Sequence, residues 1–214
     1  MIHQDNQSKA WSSEFGTTYT MRNTMTVDEL NEMYLKQYGI SRTGMDAEFL
    51  ETLDKDASIL EVGANIGNQL KLLQLAGFHN LCGIEVSEIA VKKAKENTSG
   101  IVILQGSADD LPFTDNSFDL VFTSGVLMHL NPDILQVAMQ EMHRCSKHYI
   151  WGFEYFATKR TPIPYRGRAD HLWKDNYYRL FLAAFPELET VKMKLYRYST
   201  DKNIDCMYLL RKGK

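Results

Sequence analysis

The chain has 214 residues, of which 44% are hydrophobic and 24% are charged, and its formal net charge is −3. This composition is typical of one globular domain and gives no reason to expect a broad nucleic-acid or anionic-membrane surface. Three scattered cysteines without metal-ligand spacing favour reduced thiols over a disulfide framework. The N-terminus is polar, and no apolar run approaches the length of a membrane span. We therefore expect one cytoplasmic domain over residues 1–214, with neither a metal nor a membrane as its partner.

The N-terminal region, residues 1–53, is predicted to form a cap followed by two helices. Residues 11–23 hold three aromatic side chains and an arginine without a clean period, which indicates an irregular cap over a ligand. Tyr19 could close on that ligand, and Arg22 could pair with a carboxylate of it. An arm that merely packs on the sheet would fit the pattern as well. Apolar residues at helical spacing then predict helices over 27–38 and 43–53.

A glycine turn dominates the next stretch. Residues 58–62 form a short apolar run typical of a buried parallel strand, and helical apolar spacing resumes after Gly67. Strand, turn and helix make the first half of a nucleotide-binding unit. Gly63 and Gly67 carry no Cβ, so they let the backbone turn sharply and approach a ligand, and the following helix start favours a negative group.

A second apolar strand, over 81–86, carries an acidic residue at its end. The carboxylate of Glu85 could accept hydrogen bonds from both hydroxyls of a ribose. It could instead only cap the helix predicted over 88–97, which begins near Ser87.

The glycine pattern discriminates between nucleotides. Over residues 61–67 it reads E-V-G-A-N-I-G, and a dinucleotide turn would need glycine at Asn65 and Asn68. The pattern resembles the E/D-x-G-x-G-x-G turn of class I S-adenosylmethionine-dependent methyltransferases, with a departure at Asn65 that asparagine tolerates. The resemblance implies S-adenosyl-L-methionine as cofactor, with its ribose on Glu85 and its amino-acid end over the turn. The cofactor-binding residues it implies are Tyr19, Arg22, Glu61, Gly63, Ala64, Asn65, Gly67, Glu85, Val86, Ser107, Ala108, Asp109, Thr123 and Ser124.

A third strand over 101–104 leads into residues 105–113, which resemble the G-D-A-x-x-L-P-F loop of the same family. In that family the acid after glycine receives the adenine amino group. Here Ser107 stands at that place and Asp109 lies two residues on, so either could bind adenine. A simple turn before Pro112 is the alternative.

Two further strands carry the candidate catalytic residues. The fourth, over 118–123, is followed by His129 and by a helix over 132–144, and the fifth covers 148–153. His129 could serve as a base or could simply be packed in the structure. Glu154 could be a base or a substrate anchor, or it could pair with one of the arginines that follow.

Residues 156–174 form a basic loop in an otherwise acidic protein. Such a cluster favours an anionic substrate, because arginine matches carboxylate or phosphate with two hydrogen bonds, although a solvated positive loop would look the same. The candidate substrate-binding residues are Tyr155, Arg166, Arg168 and His171. A helix over 177–185 follows, and two alternating runs, 188–198 and 204–212, predict a terminal hairpin.

The whole chain also resembles the small methylases associated with pseudaminic acid biosynthesis. The matching segments include W-S-S-E-F-G-T-T-Y-T-M-R-N (11–23), G-V-L-M-H-L-N-P-D (125–133), F-E-Y-F (153–156) and P-Y-R-G-R-A-D-H-L-W-K (164–174). Where that family reads K-G-V-L-I-H, Ser124 opens the segment here.

We therefore predict an α/β, Rossmann-like class I methyltransferase fold, with a mostly parallel seven-stranded sheet, an antiparallel C-terminal strand and helices on both faces. The predicted activity is methyl transfer to O or N of a small anionic acceptor, such as a sugar or nucleotide sugar. The alternatives are an RNA or protein methyltransferase, a silent binding partner of the same fold, and a nucleotide-dependent oxidoreductase, which Asn68 disfavours.

Overall fold

The computed structural model describes residues 11–167 and 171–213, and a seven-stranded sheet lies at its centre. The strands are β1 (Ser58–Val62), β2 (Asn80–Glu85), β3 (Val102–Gln105), β4 (Phe118–Ser124), β5 (Ser146–Tyr155), β6 (Thr161–Pro162), β7 (Trp173–Lys174), β8 (Leu188–Arg197) and β9 (Ile204–Lys212). In the sheet they follow the order β3-β2-β1-β4-β5-β9-β8, and β6 and β7 pair separately in a short ribbon.

The sheet is parallel from β3 to β5, and β9 runs antiparallel between β5 and β8. The predicted mostly parallel sheet with an antiparallel C-terminal strand is therefore confirmed, as is the terminal hairpin. Alternate residues of β1 enter different apolar clusters, since Ile59 belongs to one and Leu60 and Val62 to the other. This alternation places an apolar core on each face of the sheet.

Helices cover both faces, as predicted. They are α1 (Glu14–Arg22), α2 (Val27–Tyr38), α3 (Arg42–Leu50), α4 (Asn68–Leu75), α5 (Glu88–Asn97), α6 (Pro132–Cys145) and α7 (Tyr177–Ala184). Buried residues of α2 to α5 share one core, and those of α6 and α7 share the other. Across the described ranges, none of these helices combines the length and apolarity needed to cross a bilayer.

The prediction of an irregular segment over residues 11–23 is wrong, because α1 is a regular helix. Ser13 caps it by accepting a hydrogen bond from the Phe15 amide. Its buried positions are Gly16 and Thr20, and the backbone oxygen of Trp11 fills the space where a Gly16 Cβ would stand. The helix therefore packs through small residues, so it shows no apolar period in the sequence.

Candidate active site

A cavity of about 430 Å³ opens at the carboxyl ends of the parallel strands, where ligands of open α/β sheets bind. The residues that follow β1 to β4 and the end of β5 form most of its wall, and α1 and α2 complete it. The predicted site residues that line it are Tyr19, Glu61, Gly63, Ala64, Asn65, Glu85, Val86, Ser107, Ala108, Ser124, His129, Glu154 and Tyr155. Those that do not are Arg22, Gly67, Asp109, Thr123, Arg166 and His171. Arg168 lies outside the described residues.

The turn after β1 is built from left-handed residues. Gly63, Asn65 and Gly67 have φ angles of 79°, 45° and 78°. A Cβ on Gly63 would lie 2.6 Å from a methyl of Val126, so the turn packs directly against the loop after β4. Gly67 does not line the cavity. A Cβ there would lie 2.8 Å from the methyl group of Thr98, so the glycine makes room for that side chain.

Glu85 joins this turn to the start of α5. Its Oε2 accepts a hydrogen bond from the Asn65 amide at 2.9 Å, and its Oε1 accepts one from the Ser87 amide at 2.9 Å. Burial raises the pKa of the Glu85 carboxyl, and these amides oppose the rise. Each carboxylate oxygen can accept a second hydrogen bond, so the group can hold both amides and still receive donors from the cavity. The N-cap of α5 is Ser87.

Glu61 faces the same cavity as a nearly fully buried acid. Its Oε2 and the Oδ1 of Asn65 are buried without a hydrogen-bond partner in the described structure. Burial raises the pKa of the Glu61 carboxyl well above its usual range, Arg42 opposes this, and Glu85 and Asp46 add to it. Unpartnered buried acceptors are costly unless a ligand supplies donors. S-adenosyl-L-methionine carries such donors in its ammonium and ribose hydroxyl groups, so these residues fit the expected cofactor.

The segment after β3 separates the two candidates for adenine binding. Ser107 is buried and lines the cavity. Asp109 is half-buried behind it, and its carboxylate accepts a hydrogen bond from the Ser107 hydroxyl. Ala108 and Val86 line the cavity beside Ser107. The structure therefore brings Ser107 to the cavity and leaves Asp109 to orient it.

Arg42 is a residue that the sequence reasoning missed. It is completely buried, donates to Ser124 Oγ at 2.9 Å and pairs with Asp46 at 2.7 Å. Its guanidinium lies over the rings of Tyr34, Trp151 and Phe153. The sequence did contain a signal for this pair, because Arg42 and Asp46 carry opposite charges four positions apart at the start of the helix predicted over 43–53. Thr123, next to Ser124, is buried and does not reach the cavity.

His129 lines the cavity as a buried, neutral side chain. Its Nδ1 lies 2.8 Å from the backbone oxygen of His171. Since a carbonyl oxygen only accepts, Nδ1 carries the proton and Nε2 is the unprotonated nitrogen. Burial lowers the pKa of His129 to about 4. The contribution of His171 to this position is therefore its backbone oxygen, and its own side chain lies outside the cavity wall.

Glu154 is held by the loop after β4. Its Oε1 accepts from the amides of Val126 at 3.1 Å and Leu127 at 3.2 Å, and its Oε2 accepts from the amide of Met128 at 3.2 Å. These amides open the 3₁₀ turn over Leu127–His129. Burial raises the pKa of Glu154 to about 7, although the three amides oppose the rise. No arginine forms an ion pair with Glu154 within the described ranges.

Helix α1 brings aromatic rings to the cavity. Tyr19 lines it, with its ring centroid 5.2 Å from that of Trp11 and 6.5 Å from that of His129. Arg22, which the sequence suggested for a ligand carboxylate, is exposed in the last turn of α1. There its charge complements the helix dipole instead.

The two arginines of the basic loop that the structure describes, Arg160 and Arg166, do not line the cavity. Arg166 is exposed, with its guanidinium 5.3 Å from the centre of the Tyr165 ring. Arg160 donates to the backbone oxygen of Leu130 and lies 3.7 Å from the Asp175 carboxylate. Of the substrate-binding candidates that the structure describes, Tyr155 lines the cavity.

Three further residues of the wall were not predicted. Asp205 on β9 is buried, and one of its oxygens accepts a hydrogen bond from the Tyr38 hydroxyl. Tyr198 lies beside them, with its ring 5.0 Å from that of Tyr38. An acid inside the apolar strand 204–210 was the signal, whereas Tyr38 reads as an ordinary helix-core residue.

Comparison with known proteins gives the family of the central segment. Residues 60–149 match the family model described as a methyltransferase domain. This match covers less than half of the chain, and it makes the segment similar to a methyltransferase domain. Because this segment contains the glycine turn and Glu85, the predictions of an enzyme and of S-adenosyl-L-methionine as its cofactor are confirmed at the level of the domain.

Two curated relatives match parts of the chain. An uncharacterized methyltransferase of Synechocystis sp. is 40% identical over 65 residues, which are 30% of this chain and 31% of that protein. The demethylmenaquinone methyltransferase of Staphylococcus carnosus is 43% identical over 68 residues, 30% of this chain and 27% of that protein. The chain thus matches less than a third of the length of either relative.

Solved structures extend the likeness to nearly the whole chain. The PH0226 protein of Pyrococcus horikoshii has a TM-score of 0.70 at 15% identity, over 94% of this chain and 99% of that one. An S-adenosylmethionine-dependent methyltransferase of Methanosarcina mazei has a TM-score of 0.61 at 16% identity, over 76% and 95%. At these identities the likeness concerns the fold, so the predicted Rossmann-like methyltransferase fold is confirmed. The resemblance to pseudaminic acid-associated methylases stays a prediction.

Proposed function

We propose that this protein transfers the methyl group of S-adenosyl-L-methionine to an oxygen or nitrogen atom of a small-molecule acceptor. The observation that carries the proposal is the position of Glu85, whose carboxylate faces the cavity while it accepts the Asn65 amide of the left-handed turn. The matched methyltransferase domain, residues 60–149, contains both parts of this arrangement.

In this proposal Glu85 receives the ribose hydroxyls, and Glu61 with the turn receives the amino-acid end. Ser107 and Ala108 adjoin the adenine. When bound, the cofactor supplies an electrophilic sulfonium methyl group, so the chain mainly has to orient the acceptor and exclude water. Trp11, which precedes α1, and Tyr19 on α1 contribute apolar surface to the cavity wall and help with that exclusion.

A hydroxyl acceptor needs a base, whereas an amine with a free lone pair needs less help. The candidate bases His129 and Glu154 both line the cavity. His129 presents an unprotonated Nε2, but with its pKa near 4 it binds a proton weakly at neutral pH. Glu154, with a pKa of about 7, is better matched to proton transfer, although three backbone amides already occupy its oxygens.

A small acceptor is favoured by the demethylmenaquinone methyltransferases among the relatives. An anionic acceptor stays a prediction that rests on the composition of the basic loop. A sugar or nucleotide sugar stays a prediction that rests on the resemblance to pseudaminic acid-associated methylases. No lysine or arginine belongs to the described cavity wall, so an anionic group would have to meet a cation outside that wall.

The test is calorimetry with S-adenosylhomocysteine on the wild-type protein, Glu85→Ala and Glu88→Ala. Glu88 is an exposed acid in the first turn of α5, so Glu88→Ala removes the same charge three positions away. We expect Glu85→Ala to weaken binding at least about tenfold, because it removes charge-assisted hydrogen bonds, and Glu88→Ala to match the wild type.

Unchanged tight binding by Glu85→Ala would remove the ribose assignment. Failure of the wild type to bind S-adenosylhomocysteine, together with binding of NADH in a parallel titration, would replace the methyltransferase with the oxidoreductase alternative.

A further inference from the structure

One corner of the cavity, far along the chain from the cofactor residues, combines a carboxylate with aromatic rings. We call it the Asp205 corner, and it consists of Tyr38, Tyr155, Tyr198 and Asp205. All four line the cavity. Tyr155 and Asp205 are register partners on β5 and β9, and Tyr38 reaches them from α2. The corner is therefore assembled by three elements of the fold around one acid.

The protein's own hydrogen bonds involve mainly one of the two carboxylate oxygens of Asp205. The Oδ2 atom of Asp205 accepts a hydrogen bond from the Tyr38 hydroxyl, which in turn accepts one from Gln37 at 2.7 Å. The Oδ1 atom is buried and forms no hydrogen bond of good geometry in the described structure, although the Tyr198 hydroxyl is close enough to the carboxyl to lower its pKa. A purely structural role, in which Asp205 connects β9 to α2 through Tyr38, would explain the hydrogen bond of Oδ2. It would not explain the buried position of Oδ1. An unpartnered carboxylate oxygen in a cavity wall is costly, and a ligand donor would relieve that cost.

Aromatic rings line the cavity in the same corner as Asp205. The ring of Tyr198 lies 5.0 Å from that of Tyr38 and 6.1 Å from that of Tyr155. Tyr34 and Phe153 continue the same wall, with their ring centroids 5.9 Å apart. Such rings accept an apolar or aromatic ligand body, and their faces attract a cation.

The charges of the wall decide which head group fits. The described wall carries four carboxylic acids and no lysine or arginine: Glu61, Glu85, Glu154 and Asp205. The nearest cations lie behind it. Lys174 donates to Asn203 and sits 5.2 Å from the centre of the Tyr155 ring, and Arg42 is paired with Asp46. Burial raises the pKa of Asp205 to about 6, so at pH 7.5 the group is mostly ionised and accepts hydrogen bonds.

We propose that the Asp205 corner binds the methyl acceptor, and that the acceptor presents a hydrogen-bond donor, a hydroxyl or an ammonium group on a small apolar body, to Asp205 Oδ1. This inference rests on the proposed function, since it assigns the second substrate of that site. A carboxylate or phosphate head group is excluded from the corner by the acid that forms it. An anionic group elsewhere on the acceptor would face the mouth of the cavity.

Three probes share one body and differ in the head group: 2-phenylethylamine, 2-phenylethanol and 3-phenylpropanoate. Each is titrated at pH 7.5 into the full-length protein saturated with S-adenosylhomocysteine. We expect the amine or the alcohol to bind at least about tenfold more tightly than the carboxylate. The better of the two identifies the donor as an ammonium or a hydroxyl group.

The same titrations on Asp205→Asn should weaken the preferred probe at least about tenfold while the affinity for S-adenosylhomocysteine stays that of the wild type. Asp201→Asn is the matched control, because Asp201 is an exposed acid in the turn that precedes β9. It should leave all affinities unchanged. Asp205→Ala is the second variant if Asp205→Asn does not fold, since it leaves no polar side-chain atom to bury, and the same loss is expected.

Preference for the carboxylate, equal affinity for all three probes, or no binding of any probe to the loaded wild type would overturn the inference. Unchanged probe affinity in both Asp205 variants would overturn it as well. These outcomes are separate from failure of S-adenosylhomocysteine to bind the wild type, which would refute the proposed function itself.

Discussion

Replacement of Glu154 by glutamine tests the electrostatics of the cavity wall through the pH dependence of folding. Glu154 is 1% exposed and its pKa is raised to about 7, mainly by burial. The ordinary value is 4.5, so between pH 4.5 and 7 the folded protein holds a proton that the unfolded chain has released. The free energy of unfolding therefore falls as the pH rises through this window. Integrated over the window, the fall is about 3 kcal/mol.

Glutamine has nearly the same shape and does not titrate. The variant changes the hydrogen bonds to Val126, Leu127 and Met128, but that change is a constant offset and does not alter the slope with pH. Urea denaturation at intervals between pH 4.5 and 8 gives the free energy of unfolding of both proteins. The wild-type value minus the Glu154→Gln value should fall by about 3 kcal/mol across the range.

Glu141→Gln is the control. Hydrogen bonding from Arg144 lowers the pKa of the Glu141 carboxyl, so its contribution to stability is present above pH 4.5 and is lost only at lower pH. The corresponding difference curve should be flat from pH 5 to 8. Flat curves for both variants would show that Glu154 titrates normally, and the account of a desolvated acid in this wall would be wrong.

Two further predictions concern the turn and the basic loop. Gly63→Ala should cost about 1–3 kcal/mol of stability and abolish tight S-adenosylhomocysteine binding, because a Cβ there is strained and meets Val126 at 2.6 Å. Gly39→Ala is the control, because Gly39 has a similar φ of 74° and a Cβ there would meet nothing within 4 Å. Urea denaturation and calorimetry measure both variants. Equal losses of stability and of binding in the two would contradict the role of the Val126 contact. Arg166→Ala should keep S-adenosylhomocysteine affinity within about twofold of the wild type, because its guanidinium lies on Tyr165 outside the cavity. A tenfold loss in the same titration would place the loop in the cofactor site.

The parts of the fold that the sequence predicted are those with strong local signals. The apolar runs of the parallel strands are buried on both faces, so they read clearly. The turn after β1 needs left-handed residues, and Gly63, Asn65 and Gly67 supply them. Glu85 ends its strand at the edge where ligands bind, and that position alone makes it a candidate.

The parts that were missed depend on contacts between distant segments. Helix α1 packs through Gly16 and Thr20, so its periodicity is invisible to an apolar count. Asp205 stands out within an apolar strand, but its partner Tyr38 lies 167 positions earlier in the chain. No local pattern connects the two.

The described arginines of the basic loop show what composition alone does not predict. The cations of this loop are clustered in the sequence, yet Arg160 is used by Leu130 and Asp175 and Arg166 lies on Tyr165. Arg160 and Arg166 are close in the sequence, but they contact different groups. The composition shows that the loop is basic, but it does not show which groups each described arginine contacts.

The insertion of β9 between β5 and β8 has a consequence for the order in which the fold forms. Asp205 on β9 meets Tyr38 on α2, 167 positions away in the sequence, so their contact closes a long loop. Such a closure loses chain entropy before any contact compensates for it, so it is a slow step. The glycine turn and the Glu85 carboxylate, which lie 20 positions apart in the sequence, can therefore come together before the Asp205 corner closes.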